Sequence, residues 1–286
     1  GPTPGDRPSR QSTANGQFGA LLPDLMASAV KLAWDDRRPA GLAAAALAVP
    51  ALTINRREPG ARTDPELTVV VVRRRRATSG LLLSFACHGV VLGPDNLALS
   101  ADWIGMTRAA LARQAPGTFP LVAVAPSGDV NPLPASVRRQ LQRQGAAAFT
   151  NDPFSGIYDR TGGTFAEAEA MGRALARAAV TAADRARRLG AVREVAAVSV
   201  RPDLGRAPGR LVALCRLLRV GELAIVGMAG EQFAATGLRV KQAVRARGLV
   251  PVVLSHAPHL AYVPTPGAFA QQRDRDYEVE WARKLG

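Results

Sequence analysis

Three histidines occur in the chain, His88, His256 and His259, so imidazole chemistry has few candidates. His88 closes the apolar run Ser84-Phe85-Ala86-Cys87-His88-Gly89. An imidazole at the mouth of a core strand can ligate a metal or act as a base, and it can equally be a satisfied structural side chain. Glu231 stands in Met228-Ala229-Gly230-Glu231, where an apolar strand pattern gives way to a helical one. A carboxylate there lies near a helix N-terminus at the sheet's edge, where ligands bind in α/β folds, or it is simply a first-turn helix glutamate. Gly128-Asp129-Val130-Asn131-Pro132 follows another strand, and taken alone it is a turn, Gly freeing the backbone and Asp and Asn tying it down. Tyr262, in Ala261-Tyr262-Val263-Pro264-Thr265, is by itself a packed aromatic. His256 and His259 lie in a loop just upstream of Tyr262 and are read as surface residues.

The elements that carry these residues follow from periodicity and breakers. Gln17 to Asp35 repeats apolar residues at helical spacing, Leu21, Leu22, Leu25, Met26, Ala29, Val30 and Ala33, and reads as an amphipathic helix. Leu42 to Leu52 is Ala-rich and helix-prone, but the flanking Pro39, Pro50 and Thr53-Ile54 allow an extended segment instead. Leu67 to Val72 and Gly80 to Cys87 form a hairpin around Arg73 to Arg76, with His88 at its end. The pattern then gives a helix from Trp103 to Gln114, a buried strand from Phe119 to Ala125 and a Pro-rich turn region up to Pro134. Arg138 to Tyr158 is mixed. Thr164 to Leu189 is a long helix opened by a Thr164/Glu167 capping box. Strands are expected over Ala191 to Val200, Arg210 to Leu218, Glu222 to Met228 and Val250 to Ser255, with a helix over Glu231 to Arg247. After a loop, Tyr277 to Lys284 forms the last element. Strands and helices interleave throughout, which predicts one α/β domain with a mixed β-sheet flanked by helices.

The bulk properties bound the function. With 286 residues, 47% apolar and 21% charged, the chain has a globular composition and is neither disordered nor disulfide-dense. Its longest apolar run, Gly41 to Ile54, contains Pro50 and falls short of the ~20 residues that span a bilayer. Lys and Arg number 37 against 23 Asp and Glu, a net charge of +14, which raises an anionic partner. Aromatics at 5% leave little for bases to stack on, and the Arg73 to Arg76 run reads as a solvated strand end, so nucleic acid is disfavoured. Cys87 and Cys215 have no metal-finger spacing and read as reduced thiols, a single disulfide remaining open.

Taken together and in order, Asn55-Arg56-Arg57, Phe85-Ala86-Cys87-His88-Gly89, Ser100-Ala101-Asp102, Gly128-Asp129-Val130-Asn131-Pro132, Gly230-Glu231-Gln232-Phe233, Tyr262-Val263-Pro264-Thr265 and Tyr277-Glu278 resemble the signature series of the neutral/alkaline non-lysosomal ceramidase family. The resemblance is nearest to the family's shorter microbial members and runs from the first residue to about Tyr277. It implies a zinc-dependent amidohydrolase that cleaves an N-acyl bond, typically the fatty-acyl amide of a ceramide. In that family two histidines, a glutamate and a tyrosine hold zinc, and His88, Glu231 and Tyr262 match the second histidine, the glutamate and the tyrosine. The first histidine belongs to a Thr-His-Thr-His-Ser-Gly-Pro type motif. Since the chain opens at Gly1-Pro2, the expectation is a partial catalytic domain over residues 1–286 that starts just after that motif. Arg56 matches the arginine that binds the substrate carboxylate, and Tyr277 the tyrosine that steadies the oxyanion.

Asn131 stands where the sphingolipid-cleaving members carry a serine proposed to act at the scissile carbonyl. An amide cannot be that nucleophile, and Ser127 lies on the wrong side of the turn to replace it. The expectation is a zinc-activated water as nucleophile, with zinc and Tyr277 stabilising the carbonyl oxygen and Asn131 orienting water or substrate. A reading from another class is a non-catalytic relative whose basic surface binds anionic lipid or nucleic acid. The missing first ligand, the absent serine and the +14 charge speak for it; three ligand-type residues in register speak against it. A third is that a separate chain completes the site. The implied partner is an N-acyl, lipid-like small molecule. The net charge adds peripheral contact with an anionic membrane surface as a second expected partner class.

Overall fold

The computed structural model describes residues 10–58, 60–75, 77–93, 96–144, 163–201, 213–256, 261–271 and 277–285. The chain divides into two compact units, Gly1–Ala40 and Gly41–Gly286. The first carries one helix, α1 (Arg10–Asp35), which begins earlier than the periodicity suggests and runs through Pro23. Its apolar residues Leu25, Met26 and Val30 are exposed.

The second unit opens with β1 (Gly41–Ala48), β2 (Thr53–Asn55), β3 (Glu66–Arg74), β4 (Ala77–Phe85), α2 (Asp102–Gln114), β5 (Phe119–Val124), β6 (Val130–Pro132), α3 (Ala135–Gln144) and α4 (Phe165–Asp184). It continues through β7 (Arg187–Arg188), β8 (Val195–Val200), β9 (Cys215–Val220), β10 (Leu223–Ala229), β11 (Glu231–Gln232), α5 (Ala234–Arg245), β12 (Val250–His256), β13 (Tyr262–Val263), α6 (Pro266–Ala270) and α7 (Tyr277–Leu285). A five-stranded sheet runs in the order β5-β4-β3-β1-β7 and a four-stranded one in the order β12-β10-β9-β8. Both are mixed: β4 with β5 and β10 with β12 pair parallel, their other neighbours antiparallel.

Strand β3 explains the layering, because successive strand side chains point to opposite faces. Leu67, Val69 and Val71 join Leu81, Leu83 and Phe85 of β4 against Trp103 and Leu111 of α2 and Leu175, Ala176 and Ala179 of α4. Val70 faces the other way, clustering with Leu223 of β10 and Val252 of β12. The five-stranded sheet is thus covered by helices on one face and by the second sheet on the other, which is why β3 reads as an unbroken apolar run. Buried Ser84 joins the two sheets by donating to the Val253 carbonyl at 2.8 Å. The expected capping box opens α4: the Thr164 and Glu167 side chains each accept from the other's backbone N–H. Small residues let α4 approach α2 closely, and a Cβ on Gly172 would lie 2.6 Å from Met106.

The mixed α/β class and most elements agree with the sequence, and the differences have physical causes. The Ala-rich stretch settles as β1 because β3 and β7 supply hydrogen-bonding partners on both its sides, and that pairing outweighs alanine's helix preference. Strand β5 is an edge strand rather than a buried one, with Phe119 and Leu121 exposed. Helix α4 stops at Asp184, and the expected C-terminal loop contains β13 and α6. Arg73 and Arg74 are half-buried rather than solvated, and Arg75 makes the hairpin turn at φ 55°. Arg73 donates to the Ala183 carbonyl in the last turn of α4 at 3.2 Å, where exposed helix carbonyls favour a cation. Arg76, the segment 145–162, the start of the Arg210 to Leu218 strand and His259 lie outside the described residues.

Helix α5 is fastened to the start of β3 by charge. Lys241, 1% exposed, brings its Nζ to 2.7 Å from Asp64 Oδ2 and 3.1 Å from Glu66 Oε1, as ion pairs rather than well-directed hydrogen bonds. Arg245 meets the other Glu66 oxygen at 2.6 Å. Burial works to raise the Glu66 pKa, but Lys241 and Arg245 outweigh it and hold the carboxyl below its usual 4.5. A carboxyl depressed by folding stabilises the fold above its unfolded pKa, and that contribution is lost as pH falls through the lower folded value. Glu66→Gln is therefore expected to flatten the loss of stability below pH 4.5, read by denaturant unfolding of both proteins between pH 3 and 6. A slope identical to the parent's would contradict this.

Candidate functional site

The candidate residues leave from the C-terminal ends of the two parallel strand pairs. Strands β4 and β5 end in register at Phe85 and Val124, and β10 and β12 at Ala229 and His256. The chain continues from these ends to His88, to the turn at 127–131, to Glu231 and towards Tyr262. This is the edge at which ligands bind in α/β sheets.

Three of the predicted residues meet there. Glu231 lies in β11 and pairs in parallel with Tyr262 of β13, its N–H donating to the Ala261 carbonyl at 2.8 Å. It is not the first-turn helix residue of the sequence reading. Helix α5 starts only at Ala234, because the buried Asp129 carboxylate accepts from the Ala234 N–H at 2.8 Å and fixes the helix start there. The Tyr262 side chain hydrogen-bonds Glu231, and its ring stands edge-on to His88 with centroids 6.3 Å apart. His88 Nε2 lies 3.5 Å from Glu231 Oε2, with the side chains 18% and 34% exposed. No hydrogen-bond partner for that buried nitrogen occurs among the described residues.

The surroundings set the protonation states. Burial first, and then the Arg56 charge, push the His88 pKa down to about 3 against a small opposing effect of the Gly128 carbonyl. The imidazole is therefore neutral at physiological pH, with a lone pair available on one nitrogen. Burial raises the Glu231 pKa, while Arg56 and the Tyr262 hydrogen bond pull it back. Burial likewise raises Asp129, opposed by its bonds from Ala234 and Asn55.

The second group is cationic. Arg56 donates through Nε to Glu278 at 2.9 Å and through NH2 to the Gly128 carbonyl at 2.8 Å, with a longer contact of 3.4 Å from NH1 to Asn131 Oδ1. Its guanidinium stands 5.2 Å from the centre of the Tyr262 ring, within cation–π range. Asn131 is buried in β6, where it pairs with Ile54 of β2 and lies beside Arg56. Tyr277 begins α7, but its side chain lies outside the described residues, as does that of His256, which ends β12 rather than lying in a loop.

Other groups hold the site that the motif series contains but to which no role was assigned from sequence. Asp129 Oδ2 accepts from Asn55 Nδ2 at 2.8 Å, and Asn55 Oδ1 accepts from the N–H groups of Arg57 and Glu58 at 3.0 and 3.2 Å. One carboxylate thus ties the arginine loop to the start of α5. Asp102, at φ 50°, accepts from the N–H groups of Leu92 and Trp103 and fixes the loop leaving His88, while Trp103 Nε1 donates to the His88 carbonyl at 2.9 Å. The signal for these was the motif's own polar residues, which single-residue reading assigns to turns.

Three segments also run from the site into one half-open pocket. Val91 follows His88, Leu133 follows Asn131 and Leu52 precedes Asn55, each within three residues, and Pro134 and Met171 complete the wall. The polar side chains on it are engaged elsewhere, Glu167 with Ser136 and Thr164, and Arg138 with the Ala51 and Leu133 carbonyls.

His88, Glu231 and Tyr262 suit a zinc ion by their chemistry. A neutral imidazole nitrogen without a partner faces a carboxylate, and a phenol is bonded to that same carboxylate. Among the described residues no cluster of three His, Cys, Asp or Glu side chains that could hold a metal ion occurs.

No protein-family model and no curated protein sequence matches this chain. Its fold is similar to several solved structures, two of them ceramidases. One is the neutral ceramidase from Pseudomonas aeruginosa, at TM-score 0.62 and 15% identity, over 87% of this chain and 51% of that one. The other is a ceramidase complexed with C2, at TM-score 0.62 and 16% identity, over 84% of this chain and 50% of that one. The chain spans about half the length of these relatives, and what it shares with them at this identity is the fold.

Proposed function

We propose that the protein is a zinc-dependent hydrolase of an N-acyl amide with a lipid-like acyl part, its metal held by His88, Glu231 and Tyr262. The observation that carries the reading is the unpartnered His88 Nε2 facing Glu231 Oε2 at 3.5 Å, with Tyr262 bonded to the same carboxylate. The ceramidase-like fold supports the substrate class. When bound, the zinc would supply Lewis acidity towards a carbonyl oxygen and towards water.

The chain's own residues do the rest. His88, kept neutral by burial and by Arg56, offers its lone pair without first losing a proton. Tyr262 donates to the Glu231 carboxylate and favours its ionised form. Arg56 brings a fixed positive charge beside Asn131, and together they form a polar wall against which a scissile carbonyl can be oriented. Asn131 orients and does not attack. Tyr277, next to Glu278 at the start of α7, is proposed as the further donor to the developing oxyanion.

The test is hydrolysis of a panel of N-acyl amides of increasing acyl length by zinc-loaded parent, Glu231→Ala and His88→Ala. The parent is expected to release fatty acid and both variants to lose at least about 10²-fold in kcat/KM. Retained activity in Glu231→Ala would remove the reading.

A further inference from the structure

Glu278 is 3% exposed and belongs to the C-terminal helix, yet both of its oxygens reach the site. Oε1 accepts from Arg56 Nε at 2.9 Å and Oε2 from Arg57 NH1 at 3.3 Å, contacts that span more than two hundred residues of sequence. Arg56 and Arg57 are themselves only 8% exposed, so two neighbouring buried guanidinium groups share one carboxylate. Arg57 turns away, its guanidinium 5.2 Å from the Phe233 ring and 3.5 Å from Gln271 Oε1. Arg56 turns inward, to the Gly128 carbonyl, Asn131 and the Tyr262 ring. The planar guanidinium fork has a fixed geometry, so anchoring Nε sets the direction in which the two NH2 groups point.

We propose that Glu278 is a positioning residue for catalysis: its carboxylate separates two adjacent arginines and holds the Arg56 guanidinium over the site, making the C-terminal helix part of the catalytic assembly. The geometry stands on the clamp alone; its consequence for turnover rests on the amidase reading above. The same anchor fixes the backbone at Tyr277, one residue before it, so a single carboxylate locates both the arginine and the start of the helix. Glu278→Gln keeps the shape and removes the charge that Arg56 and Arg57 share in the parent.

Two readouts on the full chain test this. By nitrogen-15 NMR of the arginine side chains, the Arg56 Nε–H signal is expected to be protected in the parent and to shift or vanish in Glu278→Gln. The Arg219 signal, from a group bonded to the Gly221 carbonyl, should stay in place. With a fluorogenic N-dodecanoyl arylamide, Glu278→Gln is expected to lower kcat by about 10- to 10²-fold with KM changed less than about threefold, and Glu278→Asp to restore most of the loss. An Arg56 signal unchanged in Glu278→Gln would overturn the clamp, and so would an unchanged kcat in a parent that turns over. If Glu278→Gln does not fold, the same comparison is made with Glu278→Asp, whose Arg56 signal should persist; its loss there would also overturn the proposal. An altered Arg56 signal in a protein whose parent hydrolyses no amide would support the clamp and count against the amidase reading.

Discussion

Gly128→Ala should abolish the site without touching any proposed metal donor. A Cβ at this position would lie 2.3 Å from the Glu231 carbonyl oxygen and 3.1 Å from the Phe233 ring, with backbone on one side that cannot rotate away. Gly128 also donates its N–H to the Gln232 carbonyl at 2.9 Å, so the turn and β11 are locked together. Relief requires β11 to move by about 1 Å, carrying Glu231 off His88 and Tyr262, and a displacement of that size costs about 10²-fold in rate. Overpacking of this kind also costs about 1–3 kcal/mol of stability. Gly41→Ala, where the added methyl meets nothing within 4 Å, is the control and should change stability by less than about 0.5 kcal/mol. Zinc retention and N-acyl hydrolysis in Gly128→Ala at parental levels would show that the contact between the turn and β11 is not needed.

Lys241→Met is the second large effect, and it acts on the fold. The substitution keeps a stem of similar volume and removes the cation that compensates buried Asp64 and half-buried Glu66. Removing one partner of a buried ion pair typically costs about 3–5 kcal/mol, because the remaining charge is left uncompensated. Total stabilities are about 5–15 kcal/mol, so thermal unfolding should begin roughly 10 °C lower. Combining it with Asp64→Asn should recover part of the loss, since the stranded Asp64 carboxylate is then gone, whereas Glu66 keeps Arg245. A single variant as stable as the parent would mean that Lys241 is a bystander. The consequence reaches the site because α5, which Lys241 anchors, starts directly after Gln232-Phe233.

How much of this was legible in the sequence depended on whether the cause was local. The β3–β4 hairpin and the start of α4 were readable because an apolar run, a turn and a capping box all act within a few residues. The edge character of β5 and the strand state of Ala43 to Ala46 were not, because both depend on which strands lie alongside. Among the site residues, His88, Glu231, Tyr262, Arg56 and Asn131 could be named only through a motif series. As single residues they read as a structural histidine, a helix glutamate and turn residues, and only the strand ends bring them together. Glu278 and Asp129 stood in the same series but were given no role, because their roles are hydrogen bonds across long sequence separations, and no local pattern marks a carboxylate shared by two arginines.

The central claim is that Glu231, with His88 and Tyr262, holds zinc. The most direct measurement is zinc per chain by elemental analysis, after stripping with chelator, reloading with zinc chloride and desalting, on the parent beside Glu231→Ala. About one zinc in the parent and much less in the variant is the predicted result. No zinc in either protein, or equal zinc in both, would contradict the account.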